Sequence, residues 1–156
     1  MKMSLLIASP LKDPWIEQRV TDYLKRASVK HHCVFTEVKG EKIPPGGDVA
    51  VALDKEATRL VEKANPQHWW VALDADGVSM SSEEFCHTVL QAENRSVPGM
   101  VFFVGSAYGL APSLVKSCGL RLSLSKMTFP HQLAVLMLAE QIYRAASLAT
   151  GSPYHK

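Results

Sequence analysis

The sequence predicts an α/β fold: a mostly parallel sheet with helices on both faces. Three observations lead there. Short apolar runs alternate with stretches whose apolar residues recur at helical spacing, five times over. The run at 100–104, MVFFV, is apolar throughout, as a strand covered on both faces must be. The signals between runs, an Asp-Pro, a Ser-x-x-Glu and several late glycines, fall where helices begin and end.

Each element follows in order. Residues 3–8, MSLLIA, form a short buried strand. Asp13 and Pro14 have the character of an N-cap and a first helical position. Ile16, Val20, Tyr23 and Leu24 continue that helix at the right spacing. Residues 33–38, CVFTEV, alternate as a second strand. The loop KGEKIPPGGD at 39–48 is rich in Gly and Pro and is expected to be the mobile segment. Ala57, Leu60, Val61 and Ala64 mark a second helix, and HWWVAL at 68–73 a third strand. LDADGVSMSSEEF at 73–85 reads as a turn into a helix, with Ser81 and Glu84 at capping-box spacing. After the fourth strand, GSAYGLAPS leads into a short helix with Pro112 in its first turn and Gly119 at its end. LRLSL at 120–124 is a fifth strand. A long helix runs from about His131 to Thr150, with Gly151 where a C-cap belongs.

The 156 residues favour a single domain over 1–156. No apolar run approaches the roughly 20 residues needed to span a bilayer, so no membrane association is expected. The opening MKMSLLIASPLKDPW meets Lys12 and Asp13 early and reads as a strand, not a secretion signal. Cys33, Cys86 and Cys118 are odd in number and widely spaced, which fits reduced thiols in a cytoplasm. Net charge is only +2, but its distribution is uneven. After Gly105, Lys116, Arg121, Lys126, Arg144 and Lys156 oppose one acid, Glu140. A basic C-terminal third fits a polyanionic partner, although scattered solvated charge accounts for it equally well.

Several chemistries are excluded. The first turn, SPLKDPW, has no glycine, which argues against a dinucleotide-binding turn. No GxxxxGK[ST] phosphate loop and no Gly-x-Ser-x-Gly elbow exist. His31 and His32 are adjacent and read as surface residues, and no zinc spacing is present, so no metal is expected. In parallel sheets ligands sit beyond the carboxyl ends of the strands. Three turns stand there, after Leu73, after Val104 and after Leu124. Gly105 and Gly109 bracket the middle one, where glycine permits close approach and positive φ; a plain tight turn needs the same residues.

Three segments carry a family resemblance: LDADGVSMSSEEF, FFVGSAYGL and, above all, LSLSKMTFPHQLAVLMLAEQIYRAASLATGSPYHK. Together they resemble the RlmH family of SPOUT methyltransferases, which modify a pseudouridine of bacterial 23S ribosomal RNA at N3. The resemblance spans the whole chain and is sharpest from about residue 71 onward. It implies a deep C-terminal trefoil knot, an exception to the rule against threaded chains. It implies a homodimer, and an S-adenosyl-L-methionine site in the knot completed near the partner subunit. It implies 23S rRNA within the assembled ribosome as the partner.

By position, the resemblance makes Leu73, Gly105, Leu124, Ser125, Lys126, Met127, Thr128 and Phe129 the cofactor-binding residues. Backbone groups of the 124–129 loop would meet adenine, with apolar walls from Leu124, Met127 and Phe129. Adenine suits such a slot, since it needs flat apolar contact and a few main-chain hydrogen bonds. The acceptor imide must lose a proton, which calls for a base or a cation that stabilises the anion. The last helix and tail offer Arg144, Tyr154 and His155, with Lys156 adding charge. His155 suits proton transfer near neutral pH. Tyr154 suits stacking on a base. Arg144 suits the anion or a phosphate; its other reading is an i, i+4 pair with Glu140. The plainer reading of His131 is that it only orients the loop, and Tyr143 reads as core.

Two departures stand out. Gly105-Ser106 occupies a place where the family shows two glycines, so Ser106 and Tyr108 are expected to narrow the pocket or shift the turn. Ser9 stands where the family often has Gly. Two other functions stay open beside rRNA methylation. One is a knotted methyltransferase acting on another RNA, such as tRNA. The other is a non-catalytic ribosome- or RNA-binding protein, favoured only by Ser106.

Overall fold

A computed structural model describes residues 1–151 and 154. Five strands, β1 (Lys2–Ala8), β2 (His32–Val38), β3 (Trp69–Ser79), β4 (Gly99–Val104) and β5 (Leu120–Ser123), alternate with five helices. These are α1 (Pro14–Ala27), α2 (Val49–Lys63), α3 (Ser82–Asn94), α4 (Pro112–Ser117) and α5 (His131–Ala149). All strand pairs are parallel, in the order β2-β1-β4-β3-β5.

Side chains alternate across the two central strands, and each set meets its own helices. Met3, Leu5 and Ile7 of β1, with Met100, Phe102 and Val104 of β4, pack against α1, α3 and α5. Leu6 and Ala8, with Val101 and Phe103, pack against α2 and α4. Helices therefore cover both faces. Every residue of β4 is buried, as a strand with two covered faces requires.

The local signals act as read. Asp13 Oδ1 accepts the N–H of Trp15 at 2.9 Å and of Ile16 at 3.4 Å, and Pro14 opens α1. Ser81 and Glu84 form the full capping box of α3. Gly151 takes φ +68° just past α5.

Two readings are corrected, on the segment after Leu73 and on His31. The segment after Leu73 does not simply turn: β3 continues through Ser79, and its register on β5 shifts between Leu73 and Val78. Gly77 allows this, because a Cβ there would lie 2.6 Å from the Arg121 carbonyl. Arg121 grips Asp74 across the bulge, with Nη2 2.8 Å from Oδ2. The 39–48 loop is tied down at its start: Arg59 donates to the Lys39 carbonyl at 2.9 Å and pairs with Glu41. His31 is no surface residue. It is 1% exposed at the end of α1, while His32 is exposed.

Burial pushes the His31 imidazole down to about 4, although Glu93, with Oε1 3.3 Å from Nδ1, pulls the other way. An unfolded chain takes up a proton near pH 6.5 that the buried ring refuses. Stability is thus fully present above about 6.5 and falls as the pH drops toward about 4. His68 and His131, also lowered by burial, add in the same sense. The melting temperature is expected to fall by about 5 °C between pH 7 and pH 5. His31→Gln should flatten that slope; an equal slope in the variant, measured by calorimetry, would refute the assignment.

Candidate active site

The carboxyl ends of β3, β4 and β5 converge on one cleft of about 380 Å³. Its lining comes from the bulged stretch 73–75 of β3 and from two loops, 104–110 and 124–129, with Val115 of α4 and His131 and Ala134 from the first turn of α5. Seven of the expected cofactor residues meet there: Leu73, Gly105, Leu124, Ser125, Met127, Thr128 and Phe129. Lys126 is exposed and does not line the cleft. Met127 lines it yet is 73% exposed, so its thioether stands at the rim and not in a closed wall.

Sequence explains the cleft's shape. Gly105 and Gly109 fold the β4 loop back upon itself, and a Cβ on Gly105 would lie 2.2 Å from the Gly109 carbonyl carbon. Gly109 takes φ +85°, and its N–H donates to the Ser106 carbonyl at 2.9 Å. On the β5 side, Ser123 Oγ sits 3.0 Å from both the Ala75 and Ser125 carbonyls. The Met127 N–H donates to Ser125 Oγ at 3.0 Å. The irregular loop is thereby fixed by two serine hydroxyls.

The far end of that loop is fixed from β1. Gln132 Oε1 accepts the N–H of Lys12 at 2.7 Å and of Asp13 at 3.0 Å. His131 hydrogen-bonds the backbone of Ser9, whose φ of +82° is strained for a residue with a Cβ. Burial lowers the His131 pKa; the Ser9 bond and the charge of Glu56 oppose that shift only in part. The ring is therefore neutral at pH 7, and its buried Nε2 has no partner among the described residues.

Ser106 does not point its hydroxyl at the cleft. Its Oγ donates to Glu56 Oε2 at 2.8 Å, on the buried side of α2. Glu56 and Asp74 escaped sequence reasoning. The one available signal for Glu56 was a charged residue among Ala52, Leu53, Ala57 and Leu60, on the apolar face of its helix.

The acceptor-side candidates stand elsewhere. Arg144 lies 13 residues along α5 from His131, roughly 20 Å at helical rise. It makes the ion pair with Glu140, with Nε 3.0 Å and Nη2 2.6 Å from Oε1. It also lies 5.1 Å from the centre of the Tyr154 ring. Tyr154 packs edge-on against Tyr143 at 4.5 Å, and Arg26 covers Tyr143 at 4.1 Å. Tyr143 is thus half-buried in an aromatic cluster at the core's edge. Burial, and then a hydrogen bond with Tyr23, push the Tyr154 phenol up to about 12, so it stays protonated. His155 and Lys156 lie outside the described residues.

A larger hollow of about 700 Å³ runs along α1, the start of α3 and the middle of α5. Trp15, Tyr23, Met80, Leu136 and Met137 line it, and Leu124 joins it to the cleft. Trp15 is 58% exposed there.

Gly105→Ala tests the close approach at the cleft. The added methyl must displace backbone, not a flexible side chain. A loss of about 2–4 kcal/mol in denaturant unfolding is expected. A variant as stable as the parent would show that the turn has slack.

Comparison with known proteins agrees with this architecture. Residues 1–155 match the family described as "Predicted SPOUT methyltransferase". The ribosomal RNA large subunit methyltransferase H of Carboxydothermus hydrogenoformans is 33% identical, with all of both chains covered. That of Desulforamulus reducens is 36% identical over 100% of this chain and 99% of its own. Among solved structures, a probable methyltransferase of Bordetella pertussis superposes with TM-score 0.56 at 10% identity, covering 93% of this chain and 96% of its own. A methyltransferase of Legionella pneumophila, solved with bound SAM, reaches 0.50 at 15% identity, covering 96% and 66%. These structural likenesses speak for the fold alone. On its full-length family match and on relatives a third identical from end to end, the chain belongs to the SPOUT methyltransferases, among the ribosomal RNA large subunit methyltransferases H.

Proposed function

We propose that the chain is an S-adenosyl-L-methionine-dependent methyltransferase of large-subunit ribosomal RNA, acting on N3 of a pseudouridine in 23S rRNA in the cytoplasm. The observation that carries the reading is the convergence of the β3, β4 and β5 loops on one cleft, in a chain of this family. The cleft fits the donor. Its volume lies within the range of small-molecule sites. Leu73, Leu124 and Phe129 offer apolar surface, and the Gly105 turn, folded back on Gly109, brings its backbone into the lining.

When bound, S-adenosyl-L-methionine supplies a methyl group already activated by its sulfonium. The protein's task is then to hold donor and acceptor in line and to manage one proton. Arg144 supports the anion left on the imide, and Glu140 holds its guanidinium in a fixed direction. Tyr154, kept protonated, stacks on or hydrogen-bonds the nucleotide. His155 accepts the proton.

Two copies are required on this reading. Within one chain, Arg144 lies roughly 20 Å along α5 from the cleft, too far for one methyl transfer. A homodimer seated on the apolar hollow beside Trp15 and Met137 would bring one protomer's Arg144 and tail toward its partner's cleft. The threaded C-terminal part belongs to the same reading. Support for it is that α4 and α5 pass on opposite faces of the sheet, before and after edge strand β5. Ser106 no longer favours a non-catalytic protein, because its hydroxyl turns to Glu56.

Purified protein with radiolabelled donor should methylate assembled ribosomes, and mapping should place the product on a 23S pseudouridine. Label in tRNA instead would move the substrate, and no label in any RNA would remove the function. Arg144→Ala and His155→Ala are each expected to lower kcat about a hundredfold with donor affinity held within about twofold. Unchanged turnover in both would remove them from the acceptor side.

A further inference from the structure

We infer that Glu56 is a positioning residue for the donor site: its buried carboxyl sets the 105–109 turn through Ser106 and ties that turn to residues 39–41. The inference rests on reading the cleft as the donor site.

Glu56 is 3% exposed on α2, on the sheet face opposite α5. A carboxyl removed from water is unfavourable unless donors meet it. Here each oxygen has one. Glu41 N–H reaches Oε1 at 2.9 Å, and Ser106 Oγ reaches Oε2 at 2.8 Å. The two donors come from different loops, one after β2 and one after β4. A single side chain therefore joins two connections that lie 65 positions apart in sequence.

The two sides are not equivalent. The 39–41 segment is already fastened to α2 by Arg59, which bonds the Lys39 carbonyl and pairs with Glu41. Glu56 projects from the preceding turn of the same helix. It is thus held on the 39–41 side, and what it positions is Ser106. Ser106 governs its turn in turn: its carbonyl accepts the Gly109 N–H at 2.9 Å, and Gly105 beside it packs so close to Gly109 that no side chain fits there. Cleft-lining residues 104–110 follow from where that hydroxyl is anchored. A glycine at 106, the residue the family resemblance leads one to expect, has no side-chain donor, so this anchor is a property of chains with Ser106.

A carboxyl that only holds α2 to the sheet would have a different signature. Its loss would lower stability and leave donor affinity alone. Ser106→Ala separates the two roles, since it removes one bond and keeps the Glu41 bond. Calorimetry with S-adenosyl-L-methionine on the full chain should show affinity about tenfold weaker in S106A and in E56L, since leucine has a similar volume and no hydrogen-bonding atom, whereas a glutamine could still bond Ser106 through its amide. The double variant should be no weaker than E56L within about twofold, because both substitutions break the same link. In steady state the donor KM should rise in parallel with kcat little changed, and S106A, which leaves one buried carboxyl oxygen without its donor, should melt roughly 3–8 °C below the parent and remain folded at assay temperature. Donor affinity within twofold of the parent in S106A, or losses that add in the double variant, would overturn the role. If E56L does not fold, S106A decides alone. A parent protein that takes no donor overturns the reading of the cleft and this inference with it; a parent that binds while S106A matches it overturns the inference only.

Discussion

The site depends on how the first turn of α5 is bound to the turn after β1. Pro130 supplies no N–H and no side-chain cap among the described residues, so α5 begins without the usual polar stop. Gln132 and His131 instead tie this end to the turn after β1 by reaching sideways. One carboxamide oxygen accepts two successive N–H groups, of Lys12 and Asp13, at the very start of α1. The neighbouring imidazole takes Ser9. These bonds span about 120 residues of sequence and fix the downstream end of the 124–130 segment. Ser123 and Ser125 fix the upstream end. A loop without regular hydrogen bonding can be a rigid ligand surface only if both its ends are determined in this way.

The same constraint explains why the chemistry is divided. A helix of 19 residues anchored at its N-terminus beside the cleft necessarily carries its later side chains far away. Arg144, Tyr143 and Tyr154 form a compact group with Arg26 and Tyr23 on α1, at the other end of the α1–α5 contact. The basic C-terminal third is organised accordingly. Arg121 serves the β3 bulge through Asp74, and Arg144 is oriented by Glu140, while Lys126 remains exposed beside the cleft. Two of these cations hold geometry within the chain before they meet any polyanion, which net charge alone cannot reveal.

Local chemistry was legible in the sequence wherever one short stretch determined the outcome. Asp13-Pro14, Ser81 with Glu84, Pro112 and Gly151 each act within a turn of themselves, and each stands at the helix end that its chemistry specifies. The apolar run 100–104 could be placed at the centre of the sheet because no polar residue interrupts it. Two walls of the cleft, the loops after β4 and β5, were legible through the strand-end rule and the family resemblance, while the third, expected as a turn after Leu73, is a bulge within β3. Long-range effects were not legible. DADG has the composition of a turn, and only the Arg121 backbone beside Gly77 and the Asp74–Arg121 pair make it a bulge within a strand. The burial of His31 depends on how the end of α1 meets Glu93 of α3, 62 positions away, which no local pattern encodes. The donors that meet Glu56, Ser106 and Glu41, come from two distant loops, beyond the reach of any local pattern.

The violations of local rules are themselves informative. Most of the chain obeys burial and propensity together, so the exceptions identify where something besides folding acts. Among the described residues, two non-glycine residues take positive φ. Ser96 does so in the α3–β4 turn, where its N–H closes on the Glu93 carbonyl at 2.9 Å and ordinary turn chemistry suffices. Ser9 does so at the end of β1, next to His131 and against Gly40, where no such local closure is made. Around it lie a buried glutamate, a neutral histidine with an unpartnered nitrogen and a glycine that tolerates no methyl. Each feature alone is a minor anomaly of one to a few kcal/mol. Their concentration at one end of the sheet, around one cleft, marks that end as shaped for a ligand, while the consistent core beneath holds it in place.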